Sequence, residues 1–287
     1  MPGKERIKYF FVAPGIIWVL VFTIFPLLYS LRLCFFHARL GKEQRFIGLE
    51  NFGRVFTDYR FWSALQVTLF FVATSVICTV SLGLVLALLF NRPMRGQRFF
   101  RSVFTLPLFT APIALGYLGL TIFHEEVGAV NTVLRALGVL TPPGWFHQVW
   151  PARIAIALVD IWQWTPFCFL VILAGLQALP EEIYEAAQLD TSSSWDMFRY
   201  ITLPLISPVL FTVTVLRLVE TFKVLDIPFS MTGGGPGMAT QTYSYYIYQT
   251  GLRNFNAGYA SALAYILLFI ILIISIFFFA RVREIYE

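Results

Sequence analysis

The chain has 287 residues, of which 58% are hydrophobic and 17% aromatic, whereas only 13% are charged. Soluble domains carry about 25% charged residues, so this chain has too little charge to cover a surface that faces water. The same composition excludes a disordered chain, which needs high charge and few aromatic residues. It also argues against a soluble enzyme, and it predicts a membrane protein.

The formal net charge is +5, from 21 Lys and Arg against 16 Asp and Glu. The basic residues lie in short segments between apolar runs, which is typical of anchors that flank membrane spans. Nucleic-acid-binding proteins instead gather basic and aromatic side chains on one face, so we expect no nucleic acid as a partner. The three cysteines lie in or beside apolar runs without CxxC spacing, which indicates buried free thiols.

The apolar runs predict six transmembrane helices, since a spanning helix needs about 20 mostly apolar residues. The predicted spans are 9–33, 62–90, 102–123, 154–178, 203–225 and 256–280. Prolines inside these runs are compatible with spans, because packed membrane helices tolerate kinks. The first run is too long for the apolar part of a secretory signal, so we interpret it as a retained span. The predicted fold is an all-α polytopic membrane protein, with one transmembrane domain over 1–287 and the lipid bilayer as its surroundings.

The orientation of the chain follows from its most basic loop. Residues 91–101, between the second and third predicted spans, contain four arginines and no acidic residue. Short basic loops determine orientation more strongly than charges diluted in long loops. An even number of spans places both termini on one side, so we predict that both termini are cytoplasmic.

The segment between the fourth and fifth spans is polar and predicts a helical hairpin over 180–202. Glu181 and Glu182 suit the first turn of one helix, and Ser193 with Asp196 resembles a capping box that begins a second. Two interpretations are open: an amphipathic hairpin on the lipid surface, or a docking site for a cytosolic partner. The acidic character of the hairpin favours docking, because acidic side chains face anionic lipid poorly.

Two motifs resemble those of permease subunits of binding-protein-dependent ABC importers. The first is Glu185-Ala186-Ala187 followed by Ile201-Thr202-Leu203-Pro204, at the spacing of the family's EAA loop, whose glycine is replaced here by Thr191. The second contains Gly233-Gly234-Gly235-Pro236 before the last span, and it is similar to the carbohydrate-type branch. Within that branch the chain resembles the first of the two non-identical permeases of maltose, multiple-sugar and glycerol-phosphate importers.

The resemblance implies a type I ABC importer permease fold, in which the 180–202 hairpin forms the coupling helices. It implies a second permease subunit, two ATP-binding cassette ATPase subunits and an extracellular or periplasmic sugar-binding protein as partners, in the plasma (inner) membrane of a bacterium or archaeon. ATP is then hydrolysed by the partner subunits, and this chain binds no cofactor. The residues implied in ATPase coupling are Glu185, Ala186, Ala187, Thr191, Ile201, Leu203 and Pro204.

The glycine-rich outer loop does not have the sequence of a phosphate-binding loop. No Lys-Ser or Lys-Thr pair follows Gly233, Gly234, Gly235 and Pro236, as a P-loop requires. We therefore expect a transporter subunit without its own ATPase site rather than an enzyme. The three histidines form no HExxH motif, and no metal site is expected.

Charged residues late in the fifth span are candidates for a substrate path. Arg217, Glu220, Lys223 and Asp226 recur every third residue with alternating sign, so neighbours on one helix face can pair. Charged residues in spans usually face a bundle interior or a water-filled cavity. The series indicates either a hydrated sugar path near the outer mouth or a structural ion-pair seam against the partner permease.

The fourth span opens with Asp160, Trp162, Gln163 and Trp164. Aromatic faces suit the C–H faces of sugars, whereas tryptophan at a membrane interface is commonly a belt anchor, and both interpretations are open. The main rival to an importer subunit is an ion-coupled secondary transporter of a small polar solute. Such a transporter is compatible with intramembrane charges, but it has no use for an acidic inner hairpin.

Overall fold

A computed structural model of the chain describes residues 3–39, 41–92, 95–190 and 193–286. Regular secondary structure in these residues is helical, apart from two antiparallel two-residue strands, β1 (Phe36–His37) and β2 (Arg45–Phe46). The α-helices are α1 Gly3–Val19, α2 Phe25–Leu33, α3 Glu50–Thr57, α4 Tyr59–Phe90, α5 Gln97–Thr105, α6 Pro112–Ile122, α7 Ala129–Ala136, α8 Val149–Gln177, α9 Glu181–Asp190, α10 Ser194–Met197, α11 Leu203–Phe222, α12 Asp226–Thr232, α13 Tyr243–Tyr248 and α14 Ala257–Tyr286. Neighbouring helices are continued by π-helical turns at Leu20–Ile24, Phe198–Thr202 and Gln249–Arg253, and by a 3₁₀ turn at Leu106–Phe109.

Five helical stretches of the described residues are long and apolar enough to cross a membrane. They are Phe11–Leu33, Tyr59–Phe90, Val149–Gln177, Ser194–Phe222 and Ala257–Phe278. A sixth candidate is a pair of shorter helices, Gln97–Phe109 and Pro112–Ile122, which meet at a bend of 102°. The helical membrane fold predicted from the sequence is therefore confirmed, with six spans if the bent pair crosses as one.

The bend divides the predicted span 102–123 into two segments. Thr110 and Ala111 have extended backbone, with ψ values of 136° and 133°. Ala111 precedes Pro112, and the ring of a proline disfavours helical backbone in the residue before it. The sequence predicts one span that tolerates proline kinks, and the structure has a bend of 102° at this proline.

The predicted fifth span, 203–225, also differs from the observed helix at both ends. The helix runs from Ser194 to Phe222, so it includes the second arm of the 180–202 hairpin. It ends early because Lys223 leaves helical backbone, with φ −89° and ψ 0°. Asp226 then begins the separate helix α12.

The chain divides into two compact units, and the larger is Ser63–Tyr245 with Ile271–Glu287. Its central element is α8, whose apolar stretch has 67% of its residues buried. One apolar cluster joins α8 to α4, α6 and α12, through side chains such as Phe71, Ile156 and Met231. A second cluster joins α8 to α4 and α11, through Phe90, Ile172 and Ile206 among others. These clusters fix the three helices that carry the polar groups described below.

The smaller unit is Met1–Trp62 with Tyr246–Ile270. In this unit, Asn51 on α3 donates hydrogen bonds to the carbonyl oxygens of Cys34 and Phe36, at 2.8 and 3.0 Å. The hydroxyl of Tyr265 on α14 donates to the carbonyl oxygen of Leu27 on α2, at 2.5 Å. These bonds fix the loop after α2 against α3 and α2 against α14.

Candidate functional site

The first arm of the 180–202 hairpin is α9, which begins directly after Pro180 with Glu181 and Glu182 in its first turn. Acidic side chains at this position interact favourably with the positive end of the helix dipole. Glu185 and Ala186 are exposed, whereas Ala187 is only 7% exposed. The helix thus turns its glutamates and Ala186 outward and Ala187 inward. Thr191, at the position of the family glycine, lies outside the described residues.

The second arm begins at Ser193, whose hydroxyl accepts a 3.3 Å hydrogen bond from the backbone N–H of Asp196. The helix start predicted from this pair is therefore confirmed. The arm continues through α10 and the π-helical turn Phe198–Thr202 into α11. The two arms are joined by a 3.3 Å hydrogen bond from the Tyr184 hydroxyl to the Thr202 hydroxyl.

The coupling residues of the second arm lie where it enters α11. Ile201 and Leu203 are partly buried, and Pro204 is exposed in the first turn of α11. Pro204 lies inside the continuous helical stretch Ser194–Phe222, just after the π-helical turn Phe198–Thr202, and local π-helical adjustment is one way in which membrane helices accommodate a proline.

A cleft of about 910 Å³ lies between the second arm and the end of α4. Leu84, Leu88 and Phe198 contribute apolar surface to it, and Tyr184 and Trp195 also line it. Trp195 and Tyr200 are 64% and 67% exposed. An exposed acidic helix beside an open apolar cleft has the character of a protein-docking surface, since aromatic anchors and clefts dominate such contacts.

The second candidate site is a buried ion pair between two membrane helices. The guanidinium of Arg217 on α11 donates a 2.7 Å hydrogen bond to the carboxylate of Asp160 on α8. Arg217 also donates to the hydroxyls of Ser75 and Thr79 on α4, at 2.9 and 3.3 Å, and the Ser75 hydroxyl donates to Asp160. The guanidinium lies 4.8 Å from the centre of the Trp164 ring. Polar groups from three helices therefore converge on one charge pair.

The predicted pairing along the fifth span occurs for only part of the series Arg217, Glu220, Lys223 and Asp226. Lys223 pairs with Glu220 at 2.8 Å, and both side chains are about half exposed. Arg217 instead turns toward Asp160 on a different helix, and Asp226 belongs to α12. The three-residue spacing did not reveal that Asp226 lies on a separate helix, because α11 ends at Phe222.

A small cavity of about 190 Å³ lies beside the ion pair. Its walls include Gln163, Trp164, Glu220, Lys223 and Asp226. The amide nitrogen of Gln163 donates to the carbonyl oxygen of Thr110 at 3.3 Å, whereas its amide oxygen and the Nη1 of Arg217 are buried without a partner in the described structure. Buried polar groups are normally hydrogen-bonded, so the amide oxygen of Gln163, which lines the cavity, can accept a hydrogen bond from water or from a polar ligand.

Trp162 is separated from that cavity. It is 49% exposed and lines an apolar groove of about 580 Å³ with residues such as Phe104 and Pro107. Trp164 and Gln163 thus share the polar cavity, and Trp162 does not.

The predicted outer loop is a folded turn. Gly233 and Gly234 have positive φ angles of 60° and 86°, which favour glycine. The hydroxyl of Tyr245 donates to the carbonyl oxygen of Gly233 at 2.8 Å, and that of Thr240 donates to Gly235 at 2.7 Å. A side chain at Gly234 would approach the Tyr245 ring to 2.7 Å. The glycines therefore allow close packing of this turn, which ends at Pro236.

Sequence reasoning missed Ser75 and Thr79. Their only signal was two small polar residues four positions apart in a long apolar run, which places them on one helix face. Across the described ranges, no cluster of three His, Cys, Asp or Glu side chains could hold a metal ion.

Comparisons with known proteins agree with this arrangement. Residues 79–284 match the family described as "Binding-protein-dependent transport system inner membrane component". The chain is 33% identical to the lactose transport system permease protein of Rhizobium radiobacter, over 96% of this chain and 93% of that protein. It is 35% identical to the trehalose/maltose transport system permease protein of Thermococcus litoralis, over 84% and 82% of the two chains.

A solved structure has a similar fold over almost the whole chain. It is a chain of a bacterial alginate ABC transporter in complex with an alginate pentasaccharide-bound periplasmic protein. The TM-score is 0.87 at 25% sequence identity, covering 99% of this chain and 96% of that chain.

Proposed function

Because the chain belongs to the family of binding-protein-dependent transport system inner membrane components, we propose that it forms half of the translocation pore of an ATP-driven sugar importer. A second permease subunit would complete the pore. Two ATPase subunits would dock at the 180–202 hairpin, and an external binding protein would deliver the sugar. The exposed hairpin carries this proposal, since a chain that transports alone has no need of a folded acidic docking helix.

The hairpin is suited to transmit movement. The Tyr184–Thr202 hydrogen bond ties its two arms together, and its second arm is continuous with α11 as the helical stretch Ser194–Phe222. Displacement of the hairpin would therefore move α11 as a rigid helix. The hydrogen bonds of Arg217 would transmit this movement to α4 and α8. A single element that two distant sites can bias is the physical requirement for coupling.

We propose a neutral sugar as the transported solute. Asp160 and Glu220 beside the small cavity are each paired with a basic residue, which leaves Asp226 as its unpaired carboxylate in the described part of the chain. A cavity with slightly negative charge disfavours an anionic solute, and the flat face of Trp164 suits a sugar ring. The lactose and trehalose/maltose permeases, which are 33% and 35% identical to this chain, are named for neutral sugars.

We further propose that both termini are cytoplasmic, which places the hairpin on the side where ATP is available. Dense positive charge in the loop 91–101 supports this orientation, by the bias of basic loops toward the cytoplasm. Cysteine variants in the exposed segments, labelled with a membrane-impermeant reagent on intact cells, would test it directly.

Reconstitution tests the function as a whole. The complex that copurifies with the tagged chain from its own membranes would be placed in proteoliposomes, with the binding protein outside and ATP inside. We expect uptake of a radiolabelled neutral sugar that requires both. Uptake by the chain alone, driven by an ion gradient without ATP, would instead identify a secondary transporter.

A further inference from the structure

The smaller unit contains a pocket of about 710 Å³ that is lined by none of the site residues described above. It lies between the end of α3, the start of α4, and the segment from α13 to the start of α14. Arg39, Arg54, Asp58, Arg60, Tyr246 and Tyr259 contribute its charged and phenolic groups. Thr250, Asn254 and Asn256 add further polar side chains. The pocket is thus polar and predominantly basic.

The single carboxylate of the pocket is occupied by neutral donors. One oxygen of Asp58 accepts hydrogen bonds from the hydroxyls of Tyr246 and Tyr259, at 2.5 and 2.6 Å, and the other accepts from the backbone N–H of Arg60 at 2.9 Å. Burial acts to raise the pKa of Asp58, but these hydrogen bonds, together with the nearby positive charge of Arg54, lower it overall. Burial and the bond to Asp58 raise the pKa of Tyr246 to about 12. At neutral pH this centre is therefore a fixed carboxylate held by protonated phenols.

The arginines around it remain available. In the part of the chain that the structure describes, no ion pair involves Arg39, Arg54 or Arg60. Arg54 lies over the Tyr259 ring at 4.5 Å, which orients its guanidinium without neutralising it. Three positive charges against one carboxylate leave the pocket with an excess of positive charge. A guanidinium can bind a phosphate through two parallel hydrogen bonds.

The position of the pocket in the chain indicates where a phosphate that binds to these arginines would come from. Asp58 is followed directly by the span Tyr59–Phe90, and Asn256 directly by the span Ala257–Phe278. Aromatic side chains exposed near these span starts are Phe56 (58%), Tyr59 (74%), Trp62 (46%) and Phe255 (52%). Aromatic residues at span ends mark the level of lipid headgroups. The pocket therefore lies at the starts of two candidate spans, the level at which headgroup phosphates are expected.

We propose that this pocket binds the phosphate of an anionic phospholipid headgroup, of the phosphatidylglycerol class. The excess positive charge selects an anionic lipid over a zwitterionic one. The exposed Asn254 can donate hydrogen bonds to the headgroup hydroxyls, and the exposed aromatic rings would contact the acyl chains. An acidic side chain of a partner protein would match the arginines as well, but it would not account for the aromatic rim at the start of both spans.

The test compares two double variants that remove the same charge. Arg39→Gln with Arg60→Gln removes two pocket arginines, and Lys42→Gln with Arg45→Gln removes two exposed basic residues of the same segment that do not line the pocket. The intact complex would be examined by native mass spectrometry with phosphatidylglycerol and with phosphatidylcholine. A basic residue at a membrane surface contributes about five-fold to binding of anionic lipid. We expect the preference for phosphatidylglycerol to fall about 25-fold in the pocket variant and less than about two-fold in the control.

Three results would overturn the proposal. The first is equal binding of the two lipids by the wild-type complex. The second is an equal loss in both variants, which would indicate general attraction rather than a site. The third is evidence for a different ligand. If the pocket variant weakens association of the binding protein in nanodiscs of phosphatidylcholine alone, the pocket serves a protein. If inorganic phosphate raises the melting temperature as much as phosphatidylglycerol does, the pocket serves a free anion.

Discussion

Arg217 on α11 and Asp160 on α8 form an ion pair of 2.7 Å, with side chains only 1% and 2% exposed. Burying charges is costly, and their attraction offsets that cost only when hydrogen bonds satisfy the remaining donors and acceptors. Here the hydroxyls of Ser75 and Thr79 on α4 supply bonds to the Nε and Nη2 of Arg217 and to Asp160, whereas the Nη1 of Arg217 has no partner in the described structure. The pair therefore ties three helices together at the point where α11 passes the small polar cavity.

Replacing only one partner of this pair should be strongly destabilising. Arg217→Met leaves the Asp160 carboxylate buried without a counter-charge, and we expect a loss of about 3–5 kcal/mol in the free energy of unfolding. The double variant Arg217→Met with Asp160→Leu should recover much of that loss, because no unpaired charge remains. Thermal unfolding of the purified complex in detergent measures both.

The exposed pair nearby provides a matched control. Lys223 and Glu220 also lie 2.8 Å apart, but their side chains are 52% and 46% exposed. Exposed pairs contribute about 0–1 kcal/mol, so Lys223→Met should change the melting temperature little. If Arg217→Met were equally mild, Asp160 would have to be neutral or hydrated in the folded protein.

Glu185 provides a test of coupling between the hairpin and an ATPase. Glu185→Lys reverses the charge of an exposed residue on α9, so the hairpin should still fold and the chain should still insert. A hydrogen bond to a charged group contributes about 1.5–3 kcal/mol, so we expect ATPase association to weaken at least about ten-fold. Sugar uptake and stimulation of ATP hydrolysis by the binding protein should fall together.

The same charge reversal at Glu43 is the control, because Glu43 is exposed in the segment between the first two spans. Glu43→Lys should leave both coupling and assembly unchanged. Normal transport by Glu185→Lys would mean that Glu185 makes no essential contact with the ATPase.

Close packing of α6 against α12 provides a further prediction. A Cβ atom at Gly116 would overlap the Ser230 hydroxyl and lie 2.9 Å from its Cβ. Gly116→Ala should therefore force the helices apart and cost about 1–3 kcal/mol of stability. Adding Ser230→Gly should restore part of that loss in a thermal unfolding experiment. Gly15→Ala is the comparison, because nothing lies within 4 Å of a Cβ there and alanine favours helix. If Gly15→Ala lost as much stability as Gly116→Ala, the packing argument would be contradicted.

Much of this architecture could be predicted from the sequence because its signals are local. Runs of apolar residues predict spans, and the start of the hairpin's second arm was predictable from Ser193 and Asp196, which make the expected cap. The functional family follows from the spacing of short motifs around that hairpin.

Contacts between distant parts of the chain could not be predicted in the same way. Ser75 reaches Arg217 across 142 positions in sequence, and no periodicity connects them. The end of α11 at Phe222 is set by the backbone of Lys223, so the charge series is divided between two helices. The size of the bend before Pro112 could not be predicted either, because hydropathy shows that a run is apolar but does not give the direction of its helix axis.

The connection between α6 and α8 should respond to acid through Glu125. One oxygen of its carboxylate pairs with the Nδ1 of His147 at 2.7 Å and accepts from the backbone N–H of Phe146 at 3.3 Å. The hydrogen bond with His147 is the main reason that the pKa of Glu125 is lowered, and burial opposes it. A carboxyl group whose pKa is lowered by folding stabilises the fold above its unfolded pKa of about 4.3, and this contribution is lost as pH falls through the folded pKa. The difference in melting temperature between wild type and Glu125→Gln should therefore be present near pH 7 and should shrink as pH falls below about 4.3 and through the lowered pKa of the folded state. Glu126→Gln, at the exposed neighbouring position, should show a small difference throughout. A difference for Glu125→Gln that persists unchanged in acid would mean that the interaction depends on the shape of the side chain and not on its charge.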